Sequence, residues 1–160
     1  MHRIFSGLLF ALCLTACAST PPQFPPATAA DTDVLQTLAA AALDDWAKNG
    51  LPVEACCLRV DGHTTSAALL SKLPASTPPL QDSTGCRQLR SVGGYSYQER
   101  SSGGRAVVIH VSILKWVSPT TVEGSYGWDH SAFAGRSCSV RLTLRDGRWV
   151  VTDVLFAFQS

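Results

Sequence analysis

The side chains best suited to chemistry lie in the second half of the chain. His110 sits in an apolar segment that predicts a long β-strand, where an imidazole can act as a general acid or base. Trp128-Asp129-His130 places an aromatic ring, a carboxylate and a second imidazole together at a predicted loop. With the strand residue Tyr126 they form one set of possible ligand contacts: His110, Tyr126, Trp128, Asp129 and His130.

None of these residues belongs to a recognised catalytic motif. The sequence has no phosphate-binding loop, dinucleotide fingerprint or His-Glu-x-x-His metal motif. Ser96 lies in Gly94-Tyr95-Ser96-Tyr97-Gln98, which lacks the final glycine of a hydrolase nucleophile elbow. A lone strand histidine is more often half-buried and structural, and Asp129 also suits a turn. We therefore predict no catalytic residue, no cofactor and no metal.

Charge identifies no nucleic-acid partner. The chain has 13 Lys and Arg against 12 Asp and Glu, a formal net charge of +1. A nucleic-acid binder normally carries a basic stripe, whereas the arginines here form short clusters such as Arg141, Arg145 and Arg148. These clusters suit solvated strand faces and turns.

The amino terminus resembles the signal peptide of a bacterial lipoprotein. Arg3 precedes an apolar run at 4–14, and Leu14-Thr15-Ala16-Cys17 matches the pattern that ends at the lipid-accepting cysteine. The run is shorter than the roughly 20 residues that span a bilayer. The resemblance implies cleavage before Cys17, acylation of Cys17 and a membrane anchor. Ala18, where many inner-membrane lipoproteins have Asp, implies the outer membrane, facing the periplasm.

The rest of the chain divides into a tether and a domain. Residues 18–30 contain four prolines and no charge, which favours an extended conformation. Residues 31–160 are long enough to bury a core. The predicted organisation is a signal peptide at 1–16, a lipidated tether at 17–30 and a single α+β domain at 31–160.

Four of the cysteines lie in the predicted domain, namely Cys56, Cys57, Cys86 and Cys138. An even number in an exported protein predicts disulfides. A bridge between neighbouring Cys56 and Cys57 needs a strained ring, so we expect Cys86 and Cys138 each to pair with one of them. The alternative is one bridge, from Cys56 or Cys57 to Cys86, with two free buried thiols. Zinc is disfavoured because no Cys-x-x-Cys occurs.

Hydrophobic periodicity predicts helix first and sheet second. Leu35, Leu38, Ala42 and Trp46 recur at helical spacing, and a strand at 53–60, a short helix at 65–73 and a loop at 75–85 follow. We predict five later antiparallel strands, at 95–100, 105–117, 121–128, 137–145 and 148–158. The last of these strands is apolar on both faces, so we expect it to be covered on both sides. The expected class is α+β, an amino-terminal helix and a short second helix packed on a curved antiparallel meander of about five strands.

This order of elements resembles the cystatin-like and nuclear-transport-factor-two-like α+β folds. Arg-Asp-Gly-Arg-Trp-Val-Val-Thr-Asp, at 145–153, is similar to final hairpins of the second group. The segments 115–118 and 122–126 are also similar to uncharacterised bacterial proteins, which imply no activity.

Three function classes follow. The sequence favours a non-enzymatic accessory or interaction module of the envelope, with an envelope protein as its partner. The second class is a small-ligand binder or enzyme with a pocket between helix and sheet, using His110 with Tyr126 or Glu123. The third is an inhibitor or immunity-like protein that inserts a protruding loop at 127–135, with Trp128-Asp129-His130 at its tip.

Overall fold

The computed structural model describes residues 29–60, 67–73 and 75–160. The predicted signal peptide, the lipid-accepting Cys17 and the tether up to residue 28 lie outside the described residues. Within the described residues, no helix combines the length and the apolar character that crossing a bilayer requires.

Helix α1 spans Ala29–Asn49 and buries one face. Asp31 in its first turn and Lys48 in its last turn have the signs that the helix dipole favours. The helix ends where Gly50 N donates to Trp46 O across 2.6 Å, just before Pro52. The buried residues recur every three or four positions, as the periodicity predicted: Val34, Leu35, Leu38, Ala39, Ala42, Leu43 and Trp46.

The part of the chain that the structure describes is α+β, with a second, short helix α2 at Ala67–Lys72 and eight strands rather than about five. The additional strands are short or polar, so they carry little hydrophobic periodicity. The strands are β1 Ala55–Val60, β2 Leu80–Asp82, β3 Cys86–Ser91, β4 Gly94–Glu99, β5 Ala106–Ser118, β6 Thr121–Ser131, β7 Ala134–Arg145 and β8 Arg148–Gln159.

The predicted pairing was right for the second half of the sheet and wrong for the first. Strands β5 to β8 form an antiparallel meander. However, β1 pairs in parallel with both β2 and β5. The expected β4–β5 hairpin is reduced to one bridge between Gln98 and Arg105, because β4 pairs instead with β3. The uninterrupted burial of β1 from Ala55 to Leu58 is typical of a strand covered on both faces.

Two apolar clusters lie on opposite faces of the sheet. In β5, Val107, Ile109 and Val111 face α1, together with Cys56, Val122, Cys138 and Val140 of neighbouring strands. On the other face, Val108 lies in a smaller cluster under the β3–β4 hairpin with Ala55, Cys57, Cys86, Tyr97 and Ala106. The β3–β4 hairpin therefore covers the start of β5 on the face of the sheet opposite α1.

Strand β8 is an edge strand with exposed apolar side chains on both faces. It pairs with β7 alone among the described strands, and β-bulges break its register near Val140 and Leu142 of β7. The expectation that β8 is covered on both sides is wrong, since Val154 and Phe156 are each 61% exposed and Phe158 is 57% exposed.

Candidate functional site

The five predicted ligand-contact residues do not share one site. Tyr126 and Trp128 point towards α1, while Asp129 points to the opposite face, as strand alternation requires. The segment expected as a protruding loop at 127–135 is instead the end of β6, a turn and the start of β7. Trp128 is 3% exposed. The inhibitor hypothesis therefore loses the protruding loop on which it depended.

Trp128 and Asp45 join the end of α1 to the sheet. Trp128 Nε1 donates to Asp45 Oδ2 across 2.9 Å, and Arg136 Nε lies 3.3 Å from Asp45 Oδ1. The side chain of Asp45 is 14% exposed, so its charge is largely shielded from water and matched by the guanidinium. This arrangement uses Trp128 for packing, which leaves its ring unavailable for stacking on a ligand.

Tyr126 also takes part in the core beneath α1. Burial raises the pKa of its hydroxyl to about 12, with the neighbouring Cys138 adding to the rise. Tyr126 therefore stays protonated at physiological pH, and its pairing with Val111 in β5 directs it away from His110. The predicted combination of His110 with Tyr126 does not occur.

His110 contacts the carboxylate of Asp129 and not that of Glu123, which was the expected partner. Its Nδ1 lies 3.6 Å from Asp129 Oδ2, whereas Glu123 lies two cross-strand rows away. Gly127 makes room for the ring, because a Cβ at that position would clash with His110 Nε2. Burial raises the pKa of Asp129, and the charges of His110 and Arg59 oppose that rise.

Tyr95 and Arg59 complete the surroundings of this pair. Burial and the charge of Asp129 raise the pKa of Tyr95, while Arg59 lowers it. The pair of His110 with Asp129 is therefore bordered by a phenol and a guanidinium. Neither neighbour was part of the sequence prediction, since Arg59 lies beside His110 through the parallel pairing of β1 with β5 and Tyr95 is placed by the pairing of β4 with β6.

His130 occupies a bulge in β6 rather than a loop tip. The register shifts by one residue between Asp129 and Ser131, and burial lowers the pKa of the imidazole, assisted by Arg105. Its Nε2 atom is buried and makes no hydrogen bond within the described part of the chain.

The four cysteines of the described residues form one bridge and not two. Cys57 and Cys86 are joined, with their Cα atoms 6.1 Å apart, while Cys56 and Cys138 are free and buried. Neighbours on a strand point to opposite faces, so Cys57 meets the β3–β4 hairpin and Cys56 points into the α1 cluster. Strands β5 and β6 separate Cys138 from β1. The single-bridge alternative is therefore confirmed, and the pairing of Cys138 was wrong.

We use the name open face for the surface of β5, β6, β7 and β8 that is turned away from α1, beside the β3–β4 hairpin. Four cross-strand rows define it, each read from β5 to β8. The first row is His110, Gly127, Ser137 and Phe158; the second is Ser112, Ser125, Ser139 and Phe156; the third is Lys115, Glu123, Arg141 and Asp153; the fourth is Ser118, Thr121, Thr143 and Val150.

The third row, which we name the charge row, alternates in sign across the four strands. Arg141 Nη2 lies 2.9 Å from Glu123 Oε1, and Lys115 Nζ lies 3.6 Å from Glu123 Oε2. The hydrogen bond from Arg141 is the largest of several effects that lower the pKa of Glu123. Asp153 is the cross-strand neighbour of Arg141.

A hollow of about 360 Å³ lies between α1 and the β7–β8 turn. Ala40 and Trp149 provide apolar lining, and Asp33 and Arg148 provide opposite charges. Trp149 packs edge-on against Trp116 with ring centroids 5.5 Å apart. The hollow opens beside the first residues of β8, so a group bound there would also meet the edge strand.

No protein-family model, curated protein or solved structure matches this chain. In the ranges that the structure describes, no three His, Cys, Asp or Glu side chains are grouped so that they could share a metal ion.

Proposed function

We propose that the chain is a lipid-anchored envelope protein, held at the outer membrane through Cys17 and facing the periplasm, whose domain is a non-enzymatic interaction module. The lipoprotein-like signal supports the anchor. The observation that carries the interaction role is β8, a 12-residue edge strand with large exposed apolar side chains.

Exposed edge strands are normally protected, because their unpaired backbone groups can pair with another chain. Charged residues, prolines or covering elements usually provide that protection. Strand β8 has two charged residues, Arg148 and Asp153, and no proline. Val154, Leu155 and Phe156 are exposed in succession. This composition suits a strand that pairs with a partner.

The mode of binding that fits β8 is the addition of an extended partner segment to the sheet edge. Main-chain hydrogen bonds supply affinity in this mode, and hollows beside the strand select side chains. The hollow at Trp149 and Ala40 lies on the α1 side of β8. An envelope protein with an exposed extended segment, carrying an apolar side chain for this hollow, is the expected partner.

The anchor is tested by metabolic labelling of growing bacteria with an alkyne fatty acid, followed by fractionation of the envelope. The full chain should take up the label and sediment with the outer membrane, and Cys17→Ala should lose the label. An unlabelled wild-type chain in the soluble periplasm would overturn the anchor.

The interaction surface is tested by placing a photo-crosslinking amino acid at Leu155 of β8 or, as a matched control, at Gln88 of the β3–β4 hairpin. Both positions are exposed. We expect an adduct with a different envelope protein from position 155 and none from position 88. Adducts of equal yield at both positions would show that β8 is not the contact surface.

A further inference from the structure

We infer that two copies of this chain pack open face against open face, about a two-fold axis that runs parallel to the strands between β6 and β7. In this arrangement β5 of one copy lies over β8 of the other, and β6 lies over β7. Each cross-strand row then faces the same row of the second copy, read in the opposite direction.

The charge row is the observation that selects a second copy as the occupant. Read from β5 to β8 its signs are positive, negative, positive and negative. Reversed, the same row reads negative, positive, negative and positive. Lys115 then faces Asp153 of the second copy and Glu123 faces Arg141, with both contacts repeated by symmetry. A self-complementary surface is what a two-fold interface requires.

The first and second rows are complementary in size. Phe156 and Phe158 project from β8, and the same rows hold only serine, glycine and histidine on β5, β6 and β7. Reversal places Phe156 over Ser112 and Phe158 over His110 of the second copy. Both phenylalanines, which are 61% and 57% exposed in the single chain, become covered. The small residues at the centre let the two sheets approach closely.

The extent of the open face indicates a dimer of moderate strength. Four strands at about 4.8 Å and four rows at about 6.7 Å give a projected area of roughly 500 Å² per copy. Two such faces bury about 1,000 Å² or slightly more, the lower range of specific interfaces. Attachment of both copies to one membrane raises their effective concentration and favours association.

The symmetry is also compatible with the lipid anchor, and this step rests on the proposed function. Trp116 Nε1 donates to Asp31 Oδ1 across 3.1 Å, which fixes the first turn of α1 at the end of β5. An axis parallel to the strands keeps both copies in the same orientation along that direction. The two α1 helices therefore begin at the same end of the dimer, where both tethers reach one membrane.

The test uses charge reversal in the full lipidated chain, with two differently tagged copies co-expressed and extracted in detergent. Glu123→Arg alone places two guanidinium groups opposite each other across the interface, and Arg141→Glu alone places two carboxylates opposite each other. Each variant should recover at least about tenfold less of its own second copy than wild type does, whereas Glu123→Arg co-expressed with Arg141→Glu should recover it within about twofold. Because the ion pair within each chain stays broken, only contact between copies explains the rescue.

A second pair of variants avoids charged residues. Phe156→Ser should reduce recovery, whereas Val154→Ser, equally exposed on the same strand but facing the α1 side, should leave it unchanged. Recovery of the wild-type pair should also fall as NaCl rises from 0.1 to 1 M, since the screening length shortens from about 10 to about 3 Å.

A wild-type chain that is monomeric by native mass spectrometry, or equal recovery for Phe156→Ser and Val154→Ser, would overturn the dimer. The dimer would also be overturned if the two charge-reversal variants fold but their co-expression does not restore recovery of the second copy. The proposed function is tested separately, by fatty-acid labelling and by the crosslinks from position 155. An anchored, crosslinking monomer refutes the dimer alone, and an unlabelled soluble dimer refutes the anchor alone.

Discussion

Trp128 Nε1 donates a hydrogen bond to Asp45 Oδ2 across 2.9 Å, and this contact ties the carboxyl-terminal half of α1 to the middle of the sheet. Asp45 also balances the charge of Arg136. Asp45→Ala leaves a buried donor and an unmatched guanidinium, so we expect the free energy of unfolding to fall by about 2–3 kcal/mol. Urea unfolding followed by tryptophan fluorescence measures this change.

The neighbouring Asp44 provides the control. It forms an exposed ion pair with Lys48 one helical turn away, and such pairs contribute about 0.3–0.5 kcal/mol. Equal losses from Asp44→Ala and Asp45→Ala would show that the Trp128 contact adds no stability.

The bridge between Cys57 and Cys86 should be the main covalent support of the β3–β4 hairpin. It spans a sequence separation of 29 residues, for which the chain-entropy model gives roughly 3–4 kcal/mol. We expect the Cys57→Ala/Cys86→Ala variant to lose about that much free energy of unfolding.

Thiol alkylation provides an independent measurement. Burial raises the pKa of Cys56 to about 12, so Cys56 should resist alkylation in the folded protein. In urea without reductant Cys56 and Cys138 should react while Cys57 and Cys86 stay protected. Labelling of Cys57 or Cys86 before reduction would argue against the bridge.

Glu99 should make the protein sensitive to acid. Its carboxylate accepts hydrogen bonds from the backbone N–H groups of Ser102 and Ser101, which lower its pKa from 4.5 to about 2. A depressed pKa means that the ionised form stabilises the fold at neutral pH, and that this contribution disappears as pH falls from about 4.5 to 2.

We therefore expect Glu99→Gln to unfold at a lower temperature than wild type at pH 7 and at a similar temperature near pH 2. Glu54→Gln, at an exposed glutamate near the same loop, should leave the pH profile unchanged. A constant difference between Glu99→Gln and wild type across the pH range would rule out the ionised carboxylate as the cause.

Gly124 allows α1 to approach β6 closely. A Cβ at this position would lie 2.8 Å from Leu38 Cδ1 and 3.0 Å from Ser112 O. Gly124→Ala should therefore destabilise the fold by about 1–3 kcal/mol, the usual range for overpacking. Gly93→Ala, with no atom within 4 Å of the new Cβ, should change thermal stability little. Similar melting temperatures for both variants would refute the close contact.

The sequence predicted the elements with strong periodicity and failed where partners are distant in the chain. Helix α1 and strands β6 to β8 have clear apolar spacing, and Asp146-Gly147 marks their last hairpin. By contrast, β3 is exposed at every position after Cys86, so its place beside β4 has no local signal. The parallel pairing of Cys57 with Val108 also has none.

The candidate site was predictable only in its parts. His110 and Asp129 were both singled out, but their contact depends on the register of β5 against β6. Trp128 was predicted both as the last residue of a strand at 121–128 and at the tip of a loop at 127–135, and it lies in β6, buried under α1. The favoured prediction, two bridges that also involve Cys138, was wrong, because alternation along β1 sends only Cys57 towards Cys86 and β5 and β6 separate Cys138 from β1. The likeness to cystatin-like and nuclear-transport-factor-two-like folds stays a prediction.

The parallel pairing of β1 with β5 also bears on how the protein folds. Ala55 pairs with Ala106, while α2, β2, β3 and β4 all lie between them in the chain. Contacts of such long sequence separation form only after a large loop has closed, and the entropy cost of closing that loop slows folding. The β5–β8 meander, built from neighbours, should form early. Strand β1 should then dock late, so that the carboxyl-terminal half of the chain acts as the template on which the amino-terminal half completes its structure.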